Sequence, residues 1–167
     1  MADASKLEPT QGEIDRFCHA AGEKRDDATL KRLYAAYGDA LMHGWCVGIV
    51  PAVFYPANWG HPDLLDWFIK RGADIHAVEE NGDTILMAAV WHTSTDEVVE
   101  CLLRNGVDID AVNKEGKTAR MIAEEQNRTG AVRLIDQAIV TREALAELEK
   151  GLERPVRTMR PLKFRQP

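Results

Sequence analysis

The sequence predicts an all-α solenoid of stacked helix-turn-helix units joined by extended finger loops. Three observations predict it. The stretch from Asp66 to Thr84 repeats as Glu100 to Thr118 at an offset of 34 residues. Gly72 aligns with Gly106, Asp74 with Asp108, Ile75 with Ile109, Gly82 with Gly116 and Thr84 with Thr118. Within each unit, apolar residues recur at helical spacing between capping residues and glycines. A unit this short cannot bury its apolar face alone, so neighbours must stack. Finally, the chain has 167 residues, 45% hydrophobic and 29% charged, which suits one soluble domain.

The elements follow in order. Thr10 with Glu13 reads as a capping box, and Ile14, Phe17, Cys18 and Ala21 follow one helix face. Asp26 or Asp27 caps a second helix carrying Leu30, Leu33, Tyr34 and Tyr37, closed by Gly38. Pro51 suits the first turn of the next helix, but Pro56 would sit inside that helix and break it. The first helix of that unit should therefore be short or distorted, with Trp59 inserted in the turn that follows. Thr84 caps the helix Ile85–Val90, whose alanines allow close stacking. Ser94 with Glu97 reads as a capping box for a helix that buries Val98, Cys101 and Leu102. Gly106 ends that helix where a positive φ is wanted. Thr118 to Gln126 is a further first helix. Asn127 or Thr129 starts a long last helix, with Val132, Ile135, Ile139, Leu145, Leu148 and Leu152 roughly on one face. No Gly or Pro interrupts residues 131–150, so this helix should outrun a normal repeat and cap the stack.

These residues resemble ankyrin repeats. Gly82-Asp-Thr-Ile-Leu-Met-Ala-Ala89 and Val98-Val-Glu-Cys-Leu-Leu103 are similar to the two helices of that family's unit. Gly72-Ala-Asp-Ile-His-Ala77 and Gly106-Val-Asp-Ile-Asp-Ala111 are similar to its fingers, and Gly60-His61 to the opening of a second helix. The resemblance is specific over about 48–136. It implies one repeat domain over 1–153, with an N-terminal capping repeat at about 10–38. Repeats follow at about 48–80, 81–113 and 114–153, the last carrying the long helix. Residues 154–167 form a basic, proline-rich tail. The chain departs from the family at its Leu-His pair, which is Leu86-Met87 in one repeat and Arg120-Met121 in the next.

The residues point away from catalysis. Gly-rich phosphate loops, His-Glu-x-x-His, Gly-x-Ser-x-Gly and Cys-x-x-Cys do not occur. Cys18, Cys46 and Cys101 are widely spaced, which suits buried thiols in a reducing compartment. Cys46 near His43 lacks a third orienting group. The five histidines never fall three or four residues apart, so neither a metal nor a cofactor is expected. His61 is read as structural. Paired acids such as Glu79-Glu80 and Glu124-Glu125 read as capping and solubilising groups. No apolar run is long enough to span a bilayer, and the N-terminal residues lack an apolar secretory core. A cytoplasmic protein that binds neither membrane nor nucleic acid is the expectation. The formal charge is −6, and the five basic residues after Glu153 face no acid, so residues 1–153 carry −11.

The resemblance implies that fingertips and the exposed side of each first helix form a concave groove for another protein. By motif position, the first full repeat contributes Cys46, Val47, Ile49, Ala57, Asn58 and Trp59. The next contributes Glu80, Asn81, Asp83, Trp91 and His92. The last contributes Lys114, Glu115, Lys117, Glu125 and Gln126. Val47, Ile49, Trp59 and Trp91 are apolar where a non-binding protein would be polar. The reading is a protein-binding module, an inhibitor or adaptor. An immunity protein neutralising a basic bacterial toxin, or a secreted effector capturing a host protein, would use the same surface.

The tail has prolines at 155, 161 and 167, and should be extended. Arg157, Arg160 and Phe164 are its anchor residues, either on the acidic body or in a partner's acidic cleft; a solubilising end is the third role. Removing residues 154–167 separates the three. A fall in melting temperature marks a strap, a fall in partner affinity marks an anchor, and neither leaves a solubilising end.

Overall fold

The computed structural model describes residues 8–22, 25–46, 50–92 and 95–152. Val47, Ile49, Ser94 and the tail residues Arg157, Arg160 and Phe164 lie outside the described residues. The chain runs α1 (Gln11–Ala20), α2 (Asp27–Tyr37), a 3-10 turn (Gly38–His43), β1 (Trp45–Cys46) and β2 (Val50–Pro51). It continues through α3 (Phe54–Asn58), α4 (Pro62–Ile69), α5 (Ile85–His92), α6 (Asp96–Arg104), α7 (Ala119–Glu125) and α8 (Thr129–Leu152).

Consecutive helices form pairs, and the pairs stack in two rows. In one row α5 packs between α3 and α7; in the other α6 packs between α4 and α8. One apolar cluster runs through the whole stack, from Phe17 through Phe54, Phe68, Leu86 and Leu102 to Ile135. The rings of Phe17 and Phe68 stack with centroids 5.3 Å apart, joining the first pair to the second. α5 is buried on every side from Ile85 to Val90. A helix apolar all round is stable only when neighbours cover it all round. α3, α6 and α7 do so.

Side-chain capping sets the starts of α1, α2, α5 and α7. The backbone N–H and hydroxyl of Thr10 both donate to Glu13, at 2.8 and 2.7 Å. Tyr37 donates its hydroxyl to the same carboxylate and ties α2 to α1. Those bonds hold the Glu13 carboxyl below its ordinary range. Asp26 is the cap of α2, accepting from Ala28 and Thr29. Thr84 and Thr118 accept from Met87 and Met121 at 3.4 and 3.3 Å. α6 opens at Asp96 with Thr95 at its N-cap, one residue later than the Ser94 capping box predicted.

The segment before α3 departs from expectation. Pro51 lies not in a helix but on β2, where it stands opposite Trp45 in an antiparallel pair. The helix then begins at Phe54, which places Pro56 in its first turn rather than in its interior. There the missing N–H costs nothing, because first-turn donors have no intrahelical partner. The helix is nevertheless only five residues long.

α8 also differs from expectation. Ala131 and Ile135 are buried, and Val132, Leu134 and Ile139 pack partly against the core. Every residue from 141 to 150 is exposed. The helix caps the stack only as far as Ile139; Leu145, Leu148 and Leu152 project beyond it.

Gly72 and Gly106 close α4 and α6 with φ of 84° and 78°, and a β-carbon at either would meet no atom within 4 Å. Their role is therefore backbone conformation alone. Gly106→Ala should lower unfolding free energy by about 1–2 kcal/mol. Gly12→Ala, in α1 with equally open space, should instead raise it by about 0.4–1 kcal/mol. Urea titrations of the two variants check both signs.

Candidate functional site

The fingers build the site. In the finger before α5, Val78 bridges Thr84, the Glu79 N–H donates to the Asp83 carbonyl, and the Gly82 N–H donates to the Glu79 carbonyl. The finger before α7 repeats this design: Asn113 N–H donates to the Lys117 carbonyl and Gly116 N–H to the Asn113 carbonyl. The Asn113 side chain braces the second tip. Its Oδ1 accepts from Glu115 and Lys117 N–H, both at 3.0 Å, and its Nδ2 donates to Asp83 at 2.7 Å. With Lys114 N–H donating to the Asn81 carbonyl at 3.1 Å, the two tips are locked in register.

Between these tips and the helices α5 and α7 lies an open groove of about 320 Å³. Met87, Ala88 and Ile122 contribute apolar lining, Trp91 and His92 stand at the C-terminal end of α5, and Glu79, Asp83, Glu115 and Lys117 line it with charge. Trp91 is 52% exposed. Lys117 is held between Glu115 and Glu125, at 3.3 and 2.8 Å, so its charge is spent internally and the groove is left acidic.

Of the residues selected by sequence, Asn81, Asp83, Trp91, His92, Glu115 and Lys117 line this groove together. Glu125 joins through its ion pair with Lys117. Glu80, Lys114 and Gln126 are exposed outside the lining set. Trp59 is 49% exposed but lies elsewhere: it closes α3 beside Gly22, where an added β-carbon would come within 3.3 Å of its indole nitrogen. Asn58 is half-buried. Cys46 and Ala57 are fully buried and offer no surface, correcting the motif transfer in this irregular repeat. Sequence reasoning passed over Glu79, Asn113 and the exposed Trp45. Asn113 carried a signal, since it begins the Asn-Lys-Glu-Gly tip, where an Asn side chain can bond the backbone two residues on. Trp45 carried none, because the residues flanking it do not alternate as a strand should.

Glu79 is half-buried rather than a solvated partner of Glu80. Burial, and then the Asp83 charge, push its carboxyl above the ordinary 4.5. The three thiols are buried, and burial pushes each one up. Tyr55 donates to Cys46 Sγ at 2.7 Å. His61 Nε2 bonds the Gly22 carbonyl at 2.9 Å, linking successive turns of the stack. Arg120, standing where the family has its Leu-His pair, forms an ion pair to Asp136 of α8 at 2.6 Å.

Stacked helix pairs whose braced fingertips border an open groove define a repeat scaffold for binding. The chain belongs to the ankyrin repeat family: the model of ankyrin repeats in three copies matches residues 53–142. Ankyrin repeats are protein–protein interaction modules. A search of curated proteins found no match to the chain. Among the described residues, no helix is long and apolar enough to cross a membrane.

A carboxyl raised in the folded state costs stability while ionised. That cost disappears as pH falls through the raised value and the proton binds. Glu79→Gln should therefore raise the melting temperature at neutral pH. The gain should fade as pH drops and be gone below the unfolded value of 4.5. Melting curves of the two proteins across pH check this.

Proposed function

We propose that the protein binds a basic partner protein through the groove between its two braced fingers, as an inhibitor or adaptor. One observation carries the reading: α5 is sealed in the core through Val90 and then presents Trp91 to solvent beside Glu79, Asp83 and Glu115. An indole left half in water contributes little to the fold. It gains by entering a partner's pocket, with large area and few torsions to freeze. The surrounding carboxylates, on a body of charge −11, favour a cationic surface around that pocket and speed its arrival.

Within this reading, the partner is a basic enzyme or toxin whose cleft is blocked, as in an immunity protein. A host protein captured by a secreted effector is the second form. A toxin gene beside this one supports the first, and export through a secretion system supports the second.

Affinity purification of the full-length protein from its native cell, followed by mass spectrometry, tests the class of partner. One stoichiometric protein with a basic surface is expected. Trp91→Ala should then weaken binding by about 2 kcal/mol, roughly 30-fold. The melting temperature should be unchanged. Equal affinity with a normal melting curve removes Trp91 from the interface.

A further inference from the structure

The projecting half of α8 is not built like a solvated helix end. α8 has 24 residues, a length of about 36 Å at 1.5 Å per residue. Beyond Ile139 it leaves the core. Yet Leu134, Ala138, Thr141, Leu145, Leu148 and Leu152 follow one another at alternating steps of four and three, the seam spacing of a two-helix coil. Leu145, Leu148 and Leu152 are 56%, 65% and 85% exposed. The seam borders a groove of about 840 Å³, which includes Leu103, Val107 and Ile109 beside Leu134, Ala138 and Leu145.

We propose that this seam pairs with the same seam of a second copy of the chain, antiparallel, to form a homodimer. Charge selects both the occupant and its direction. Arg142 and Glu149 lie seven residues apart and flank the seam on the same side. In an antiparallel pair centred between Leu145 and Leu148, each of these leucines meets the other type on the second copy. Arg142 then comes opposite Glu149 of the second copy, and symmetry makes that ion pair twice. A parallel pair would set Arg142 against Gln137 and Glu149 against Ala144 and form neither bond. Arg142 is already positioned at the groove, its guanidinium on Asp110 at 2.5 and 3.2 Å, which uses two of its five N–H donors. Antiparallel pairing also places the two repeat bodies at opposite ends of the helix pair. The seam is short, so the interface falls at the small end of protein interfaces, and the dimer is concentration-dependent rather than obligate.

Sedimentation velocity of the full-length protein over a range of concentrations reads this directly. A twofold rise in mass with concentration is expected. Leu145→Glu with Leu148→Glu should hold the single-chain mass throughout, with an unchanged melting temperature. Arg142→Glu and Glu149→Arg should each be single chains alone, because like charges then face each other twice. Their equimolar mixture should recover the doubled mass, because one ion pair reforms in its native sense and the other with its sign reversed. A single-chain mass for the full-length protein at the highest concentration overturns the proposal, as does a dimer that survives the two leucine substitutions. A single-chain mass that doubles only after removal of residues 153–167 also overturns it, assigning the seam to the chain's own terminus.

Discussion

The burial of α5 on all sides is the constraint on which the rest of the structure depends. Six successive residues, Ile85 to Val90, are withdrawn from water. No single partner helix can cover such a surface, since any one neighbour reaches only a stripe of it. α3 and α7 must flank it and α6 must close the remaining side, which fixes the spacing and order of three repeats together. The alanines at 88 and 89 let those neighbours approach closely. The five-residue α3 is tolerated for the same reason: Phe54 and Ala57 are still fully buried, so the contact is short but dry.

The groove inherits its geometry from that packing, and its charge from the fingers. Hydrogen bonds within and between the tips hold Asp83, Glu115 and Lys117 in place. Half-burying a carboxyl beside a second acid has a cost, visible in the Glu79 carboxyl, which burial and then the Asp83 charge push up. A scaffold selected for stability alone would place a neutral residue there. Retaining a carboxyl in a half-buried site beside a second acid is consistent with a surface shaped for a cationic partner.

Much of this was legible in the sequence, and the parts that were not share a physical cause. The 34-residue repeat, the Thr10–Glu13 box, the Asp26 cap and the positive-φ glycines are local devices, so local patterns reveal them. The pairing of Trp45 with Pro51 is nonlocal and only two residues deep, with no alternation to announce it. The helix was correctly expected to be short, but Pro56 does not break it: the helix starts only after that hairpin, which puts Pro56 in its first turn. Trp59 and Trp91 look equivalent by motif position. They separate in space because Trp59 follows an irregular helix and turns toward Gly22, whereas Trp91 continues a regular one. On α8, periodicity identified an apolar face without saying how far the body beneath it extends, so Val132, Ile135 and Ile139 were grouped with leucines that never reach the core.

The exposed leucines of α8 differ in kind from the unfinished end of a repeat stack. A solenoid needs polar outer faces on its terminal units, because the last apolar face has no neighbour. Here the last interface is closed: Ile135 is fully buried, and Arg120 pairs with Asp136 across α7 and α8. The leucines lie beyond that closure, on a helix that already has its repeat-length contact. Removing them would not expose core, so they are a second surface rather than a missing cap. That surface belongs to the outer row of helices, with α6, whereas the groove belongs to the inner row, with α5 and α7. Contact at one therefore leaves the other open. A pairing through α8 would present two acidic grooves on one particle, and a partner displaying two basic sites would be held by avidity without any new contact in either groove.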